Sequence, residues 1–409
     1  MLKAILLALN LFCGVYGLWF VGVILLGALK RYSPYPTVAP RKRLAAVIAA
    51  RNEEAVIAAC VGTLRAQKYP RELFDIWVVP NNCTDHTAQA ARKAGARVMN
   101  CNVPIKCKGD VLAFAFAELL KKEDYDAFCV FDADNLADPG FFQAANDALC
   151  SGVNIAQGYR DSKNPADGWI AGGMSLFFWF MNRFFNRGRR ALGMSAMLNG
   201  TGIVISAELI RKNGWKTFSL TEDLEYTAQC GLLGERIGWM ENAVIYDEQP
   251  LSLRDSMIQR RRWMAGTLQC LRGYGLKLWG RFFRTGALQA FDFAMFYTGS
   301  ICQYLGLIAG GFGAAGVCRR LLEAFGWPGP ALAALALVLG FCLLSSLAAV
   351  ALCLLAGGPL RRMLPAILGF GVFLITWMPA NLAALVKPRG WRPIAHTSRA
   401  SLRDLGGRR

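Results

Sequence analysis

Histidine is nearly absent: His86 and His396 are the only two in 409 residues. A Ser-His-Asp or Cys-His relay needs an imidazole beside a nucleophile, so that chemistry has almost no material here. Cysteines number 13, an odd count; five lie inside apolar runs and no CxxC pair occurs. Neither a disulfide framework nor zinc is indicated, and free thiols are the expectation. Acids are also short, 28 against 46 Lys and Arg, leaving a net charge of +18. No internal repeat and no low-complexity segment is visible. What chemistry there is must come from carboxylates, cations and a metal.

Long uncharged stretches are what the chain has instead. Residues 4–29, 293–318, 324–360 and 363–386 carry no charge at all. A helix crosses a ~30 Å hydrocarbon core with about 20 apolar residues, so each stretch is long enough. The first exceeds the ~7–15 residues of a secretory apolar region, and basic residues follow it as well as precede it. It reads as a retained anchor, over 1–30. Lys30, Arg31, Arg41, Lys42 and Arg43 follow without an intervening acid, which places the next segment on the cytoplasmic side of a cell membrane. Much of the excess positive charge lies beside membrane segments, where anionic lipid attracts it, so a lipid bilayer and not nucleic acid is the expected partner. The stretch 324–360 is too long for one upright helix and short for two. The tail 387–409 holds seven Lys or Arg and one Asp. Three crossings after a cytoplasmic domain would leave it outside, yet its charge favours the inside.

Between the anchor and about residue 285 the composition is that of a soluble domain. Apolar runs at 44–50, 74–79, 97–99 and 127–131 read as buried strands. Segments 54–67, 84–94 and 110–122 have helical spacing, with Thr84 as a capping residue. Strand–helix alternation implies parallel βαβ units, whose ligands bind at the carboxyl ends of the strands. Polar groups sit at those ends: Arg51-Asn52-Glu53-Glu54, then Asn81 to Asp85, then Asp132-Ala133-Asp134-Asn135. Asp132 and Asp134, one residue apart at a buried strand's end, repel each other unless a cation sits between them. Mg²⁺ or Mn²⁺, hard ions that also bind phosphate, suit such a pair.

Further along, Thr221-Glu222-Asp223 reads both as a cap with acids in the first turn and as a place for a general base. The stretch 251–278 is a basic amphipathic helix in which Gln259, Arg262 and Trp263 share one face and Arg260 and Arg261 point elsewhere. Such a helix suits a membrane interface, and such a face also suits an Arg on a diphosphate and a Trp on a sugar. Lys108-Gly109 opens a helix where a phosphate could approach.

Taken in order, Ala50 to Glu54, Asn82-Cys83-Thr84-Asp85, Lys108-Gly109, Asp132-Ala133-Asp134, Asn199-Gly200-Thr201-Gly202, Thr221-Glu222-Asp223, Asp247 to Pro250 and Gln259 to Trp263 resemble membrane-bound family 2 glycosyltransferases. The likeness is to the processive branch of cellulose, hyaluronan and chitin-oligosaccharide synthases, and it covers roughly 40–285. It implies an α/β cytoplasmic domain of GT-A fold, with a Rossmann-like mixed sheet, plus α-helical transmembrane segments. The expected division is an anchor at 1–30, the GT-A domain at 40–250, interface helices at 251–285, membrane helices at 288–386 and a basic tail at 387–409. It implies a nucleotide-sugar donor and a carbohydrate or lipid-linked acceptor. Glu53 and Asn81 would line the nucleoside pocket, with Lys108 nearby. Asp132 and Asp134 would hold the donor through Mg²⁺ or Mn²⁺. Asp223, beside Glu222, would take the acceptor's proton with inversion at the sugar. Gln259 and Arg262 would close on the diphosphate, and Trp263 and Thr201 on the acceptor sugar. Where the family usually has Asp, this chain has Asn81, which can accept a hydrogen bond from a base but lacks the charge.

Overall fold

Leu44–Ala50 is seven apolar residues without a polar face, and it is buried on both sides. That is what a central parallel strand covered by helices requires. In the computed structural model, which describes residues 2–386 and Leu402, it becomes β1 of an eight-stranded mixed sheet. The anchor forms α1 (Leu2–Leu29). Then follow α2 (Ile57–Arg65), β2 (Phe74–Pro80), α3 (Thr87–Lys93), β3 (Arg97–Val98), α4 (Lys108–Lys122), β4 (Ala127–Asp132), β5 (Leu136–Ala137) and α5 (Phe141–Cys150). The second half supplies β6 (Ile155–Ser162), α6 (Trp169–Phe180), α7 (Arg187–Ala191), β7 (Ile203–Ser206), α8 (Ala207–Asn213), α9 (Glu222–Leu233) and β8 (Ile237–Asp247). The chain continues as α10 (Leu253–Cys270), α11 (Leu276–Thr285), α12 (Leu288–Phe325), α13 (Pro328–Leu355), α14 (Leu364–Ile375) and α15 (Trp377–Ala384).

Strand order is β3-β2-β1-β4-β7-β6-β8-β5. β1, β2, β3 and β4 run parallel, as the alternation implied, while β7 and β5 are antiparallel to their neighbours. β1 and β4 end together, Ala49 beside Asp132. One core packs α2, α3 and α5 on one face of the sheet through Ile57, Val61, Ala91, Phe141 and Phe142. The other face is covered by α4 and α9, and its core runs on without a break into α6, α12 and α14. The Rossmann-like GT-A domain and the apolar helices therefore share one hydrophobic cluster.

Two helices start later than their spacing suggested. α2 begins at Ile57 and not Glu54, because Asn52 takes φ 57° and the Glu54 carboxylate accepts the His86 N–H at 3.1 Å. α3 begins at Thr87; its first N–H goes to the Asp85 carboxylate at 3.0 Å, while the Thr84 N–H turns to Asn52 at 2.8 Å.

Among the described residues four helices are long and apolar enough to cross a membrane: Ala4–Leu29, Leu288–Phe325, Pro328–Leu355 and Leu364–Ala384. The awkward stretch 324–360 is shared among elements. α12 runs through to Phe325, Gly326 at φ 67° breaks it, and Pro328 starts α13, which ends before Gly357-Gly358-Pro359. At ~1.5 Å per residue the 38 residues of α12 reach about 57 Å, so its first part packs on the domain and its far part projects beyond it. α1 lies along α12. Trp19 Nε1 donates to Asp292 at 3.0 Å, and Arg189 meets the same carboxylate at 2.9 Å with both side chains buried. Apart from Leu402, the basic tail 387–409 lies outside the described residues.

Candidate active site

The carboxyl ends of β1, β2, β4, β6 and β8 open on one cleft of about 620 Å³, closed from the far side by the start of α9 and by α10. Glu53, Asn81, Lys108, Asp132, Asp134, Glu222, Asp223, Gln259, Arg262 and Trp263 all line it.

At the centre, Lys108 Nζ donates to Asp132 Oδ1 at 2.5 Å and to the Gly200 carbonyl at 2.7 Å, and lies 3.5 Å from Glu222. Burial works against the ammonium, but Asp132 first and Glu222 next hold its pKa above the ordinary value. The Asp132 N–H is shared by Asn135 Oδ1 at 3.0 Å and Thr201 Oγ at 3.1 Å, which pins the strand end. Asp134 is almost fully buried and accepts the Glu248 N–H at 3.1 Å. Asp247, at the end of β8, pairs with Arg160 from β6. Burial raises the Asp247 pKa to about 6 against the pull of Arg160, and the Asp134 charge adds to the rise.

These residues suit a hard divalent cation. The donors are all oxygen, and Asp134 and Asp247 crowd each other in a way that a cation relieves. Among the described residues no cluster of three or more His, Cys, Asp or Glu has the geometry of a self-sufficient metal site. Mg²⁺-type sites are commonly held by one or two carboxylates plus substrate phosphates, and Asp132 with Asp134 could supply that protein share.

Asp223 opens α9. Burial and then the Glu222 charge push its carboxyl up to about 7, while the Leu224 N–H, Lys108 and Arg262 pull it back. Thr221 precedes the helix, but its hydroxyl makes no capping bond. It is packed against Gly266 of α10, where any Cβ would collide with it. That close approach brings α10 over the start of α9. Arg262 Nη1 reaches the Leu220 carbonyl at 3.4 Å. Trp263 sits in an aromatic group with Phe178 at 5.9 Å and Trp377 at 6.3 Å between ring centres.

At the other end, Asn81 Nδ2 donates to the Ala50 carbonyl at 3.0 Å. Its oxygen is then the atom left for an incoming N–H. The Glu53 backbone is held by Thr87 Oγ at 2.9 Å. Asn52 and Asn82, which follow β1 and β2, both have positive φ, at 57° and 48°. Asn tolerates that region better than most side chains, and both turns bend the backbone into the cleft.

Two placements depart from the sequence reading. Thr201 is fully buried, bonded to Asn135 and Asp132 beneath the cleft, and does not line it. Positive φ at Gly200 and Gly202 turns the segment so that the threonine faces inward. Arg261 lines the cleft and donates to the Val386 carbonyl at 3.1 Å, because α10 is flanked by the cleft on one side and the end of α15 on another. Arg260 does turn away, fully buried between Phe373 and Trp377 and bonded to Thr376 at 2.9 Å. Sequence reasoning also missed Arg160, which pairs with Asp247, donates to the Asn199 carbonyl at 2.8 Å and stacks on Phe178 at 4.2 Å. Its position near the end of a fully buried strand was the available signal.

The family described as glycosyltransferase like family 2 matches residues 40–266, more than half of the chain. A beta-monoglucosyldiacylglycerol synthase of Synechocystis sp. is 25% identical over 276 residues, 62% of this chain and 57% of that protein. The beta-monoglucosyldiacylglycerol synthase of Nostoc sp. is 25% identical over 270 residues, 61% of this chain and 54% of its own. The chain thus spans little more than half the length of these two relatives. Among solved structures, the mannosyltransferase PcManGT of Pyrobaculum calidifontis, in complex with GDP-Man and Mn²⁺, superposes with a TM-score of 0.59 at 19% identity, over 93% of this chain and 99% of that one. At that identity the likeness establishes the GT-A fold.

Proposed function

The chain belongs to glycosyltransferase family 2, and from that membership we propose that it moves one sugar from a nucleotide-sugar donor to a hydroxyl group carried by a membrane lipid, with inversion. The observation that carries this is the cleft itself. Two strand-end aspartates, a carboxyl poised near neutrality and an Arg–Trp helix face one space, and that space opens beside Val386, just past the end of α15.

In this reading Glu53 and Asn81 hold the nucleoside and Lys108 stands beside the diphosphate. Asp132 and Asp134 would hold a Mg²⁺ or Mn²⁺, which supplies charge neutralisation to the diphosphate when bound. Asp223 takes the proton of the acceptor hydroxyl. The freed oxygen forms its bond to the anomeric carbon as the bond to the diphosphate breaks. The electron pair leaves with the diphosphate, and Arg262 stabilises that charge. Trp263 offers a flat apolar face to the sugar. Glu222 is 3.5 Å from Lys108, and after burial it is the neighbour that most raises the proton affinity of Asp223. The five basic residues that follow α1 favour a domain on the cytoplasmic face.

Two observations favour a lipid acceptor. The relatives with 25% identity are named for synthesis of a glucosylated diacylglycerol. The cleft's own rim carries exposed apolar residues, Ile258 at 39% and Val386 at 69%. Stepwise elongation of a polysaccharide is the second reading, favoured by Gln259, Arg262 and Trp263 meeting in one cleft. The test uses the purified full chain with Mn²⁺, a panel of UDP- and GDP-sugars, and vesicles containing diacylglycerol. A lipid heavier by one sugar, with stoichiometric nucleoside diphosphate, is expected. A ladder of products would establish elongation, and no diphosphate release with any donor would overturn both readings.

A further inference from the structure

By hydropathy Leu364–Ala384 is a fourth membrane span. Its surroundings say otherwise at both ends. On the entry side, Gly358 lies so close to the Trp179 ring that a Cβ there would come within 2.7 Å of it. Trp179 is itself tied to the catalytic sheet, for its Nε1 donates to Asp161 of β6 at 2.7 Å. At the exit, Val386 lines the cleft and its carbonyl takes the Arg261 guanidinium. A helix that crossed a ~30 Å core could not begin and end on one domain.

Its length is also held to the domain throughout. Gly172 of α6 is so close to Ala366 that neither helix has room for a larger residue, and Gly369 approaches Trp169. Small residues at such a crossing are how apolar helices pack tightly where water gives no driving force. Arg260 donates to Thr376, and Asn381 bonds to Gln303 at 3.0 Å where α12 leaves the domain. The opposite face is bare and apolar: Leu364, Leu368, Val372, Ile375 and Leu385 are exposed by 48–63%.

Charge supplies an independent argument. Five basic residues follow α1 and seven occur in 387–409. With four crossings these two basic groups face opposite sides. With α1, α12 and α13 as the crossings, both share one side, as the positive-inside rule requires.

We infer that Leu364–Val386 is a re-entrant element: it dips into the leaflet on the domain's side, returns, and forms the lip of the cleft. Its bare face rests on lipid acyl chains. The lip lets a lipid's hydroxyl reach Asp223 without the chains leaving the bilayer, and that last part rests on the transferase reading while the sidedness does not.

The test places a protease site after Arg409 and another in the exposed turn at Gly326–Trp327 of the full chain, in sealed vesicles of both orientations. Cleavage at 409 is expected together with digestion of the catalytic domain, and at 326–327 only from the other face. Cleavage at 409 and 326–327 from the same face would overturn the inference. In proteoliposomes bearing a diazirine-labelled phosphatidylcholine, peptide 364–386 should be labelled along with 328–355; labelling of 328–355 alone would refute the lipid contact. Val386→Asp should slow transfer to dioleoylglycerol in vesicles at least tenfold. An unchanged rate would remove the lip's role in acceptor entry. A wild-type chain that glycosylates no vesicle lipid would overturn the lipid-transferase reading, and with it that role, but not the sidedness.

Discussion

Replacing Asp223 by Asn should destroy turnover and at the same time stabilise the chain above neutral pH. The carboxyl is pushed from an ordinary 3.8 to about 7, mainly by burial and then by Glu222. The folded chain therefore binds this proton more tightly than the unfolded chain does. Below about pH 4 both states are protonated and the site costs nothing. As pH rises through the window from 4 to 7 the unfolded chain ionises first, and folded stability falls by an amount that is complete above 7. At ~1.4 kcal/mol per pH unit the gap bounds the loss at about 4 kcal/mol, and water at the cleft's mouth brings it nearer ~2 kcal/mol. Asn mimics the protonated acid and removes the loss. For a domain of this size ~1 kcal/mol moves Tm by about 2–4 °C, so Asp223→Asn should melt roughly 4–8 °C higher at pH 8 and level with the parent at pH 4.

The kinetic side has its own sign. A base with a pKa near 7 works only when ionised, so transfer by the parent chain should rise about tenfold per pH unit below 7 and level off above it. Loss of the base should cost ~10²–10⁴ in rate. The assay is nucleoside diphosphate release across pH 5–9, with thermal unfolding of the donor-free protein in the same buffers. If Asp223→Asn turned over normally, or melted lower than the parent at pH 8, the placement of a strained base at the start of α9 would be wrong.

Other outcomes follow from the same geometry. Asp134→Asn should lower turnover by ~10²–10³, and a chelator should abolish it until Mn²⁺ or Mg²⁺ is returned; donor turnover insensitive to chelation would refute the metal assignment. Arg262→Lys should reduce kcat by ~10²-fold with donor affinity nearly kept, since an ammonium keeps the charge but not the fork, and the split is read from steady-state kinetics. Gly266→Ala should drive α10 off Thr221 and cost at least ~10-fold in turnover with helix content unchanged by circular dichroism. Asn81→Asp should destabilise by ~1–3 kcal/mol, because the donor to the Ala50 carbonyl is lost and a charge is buried in its place; thermal unfolding of the donor-free protein checks it.

The parts of the site that were legible in the sequence are those written in adjacent residues at the ends of apolar strands. Leu44–Ala50 leads to Glu53, Phe74–Pro80 to Asn81, and Ala127–Asp132 to Asp134, and a parallel sheet gathers such ends at one edge without further information. What was hidden depends on partners far along the chain. Arg160 acquires its meaning from Asp247, 87 positions later, and its place near a strand's end is the one local mark it carries. Thr201 looked like a cleft residue because its neighbours in sequence are; only the two positive-φ glycines beside it turn it inward. Helical period separates Arg260, Arg261 and Arg262 by face but cannot say what each face meets. Three different neighbours decide it: Phe373 with Trp377, the Val386 carbonyl, and the loop at Leu220. The same limit applies to Leu364–Ala384. Hydropathy measures how apolar a helix is, and a helix lying along the domain with one bare face is as apolar as one that crosses. The two are told apart by where the ends go, and here Gly358 on Trp179 and Val386 at the cleft put both ends on the catalytic side.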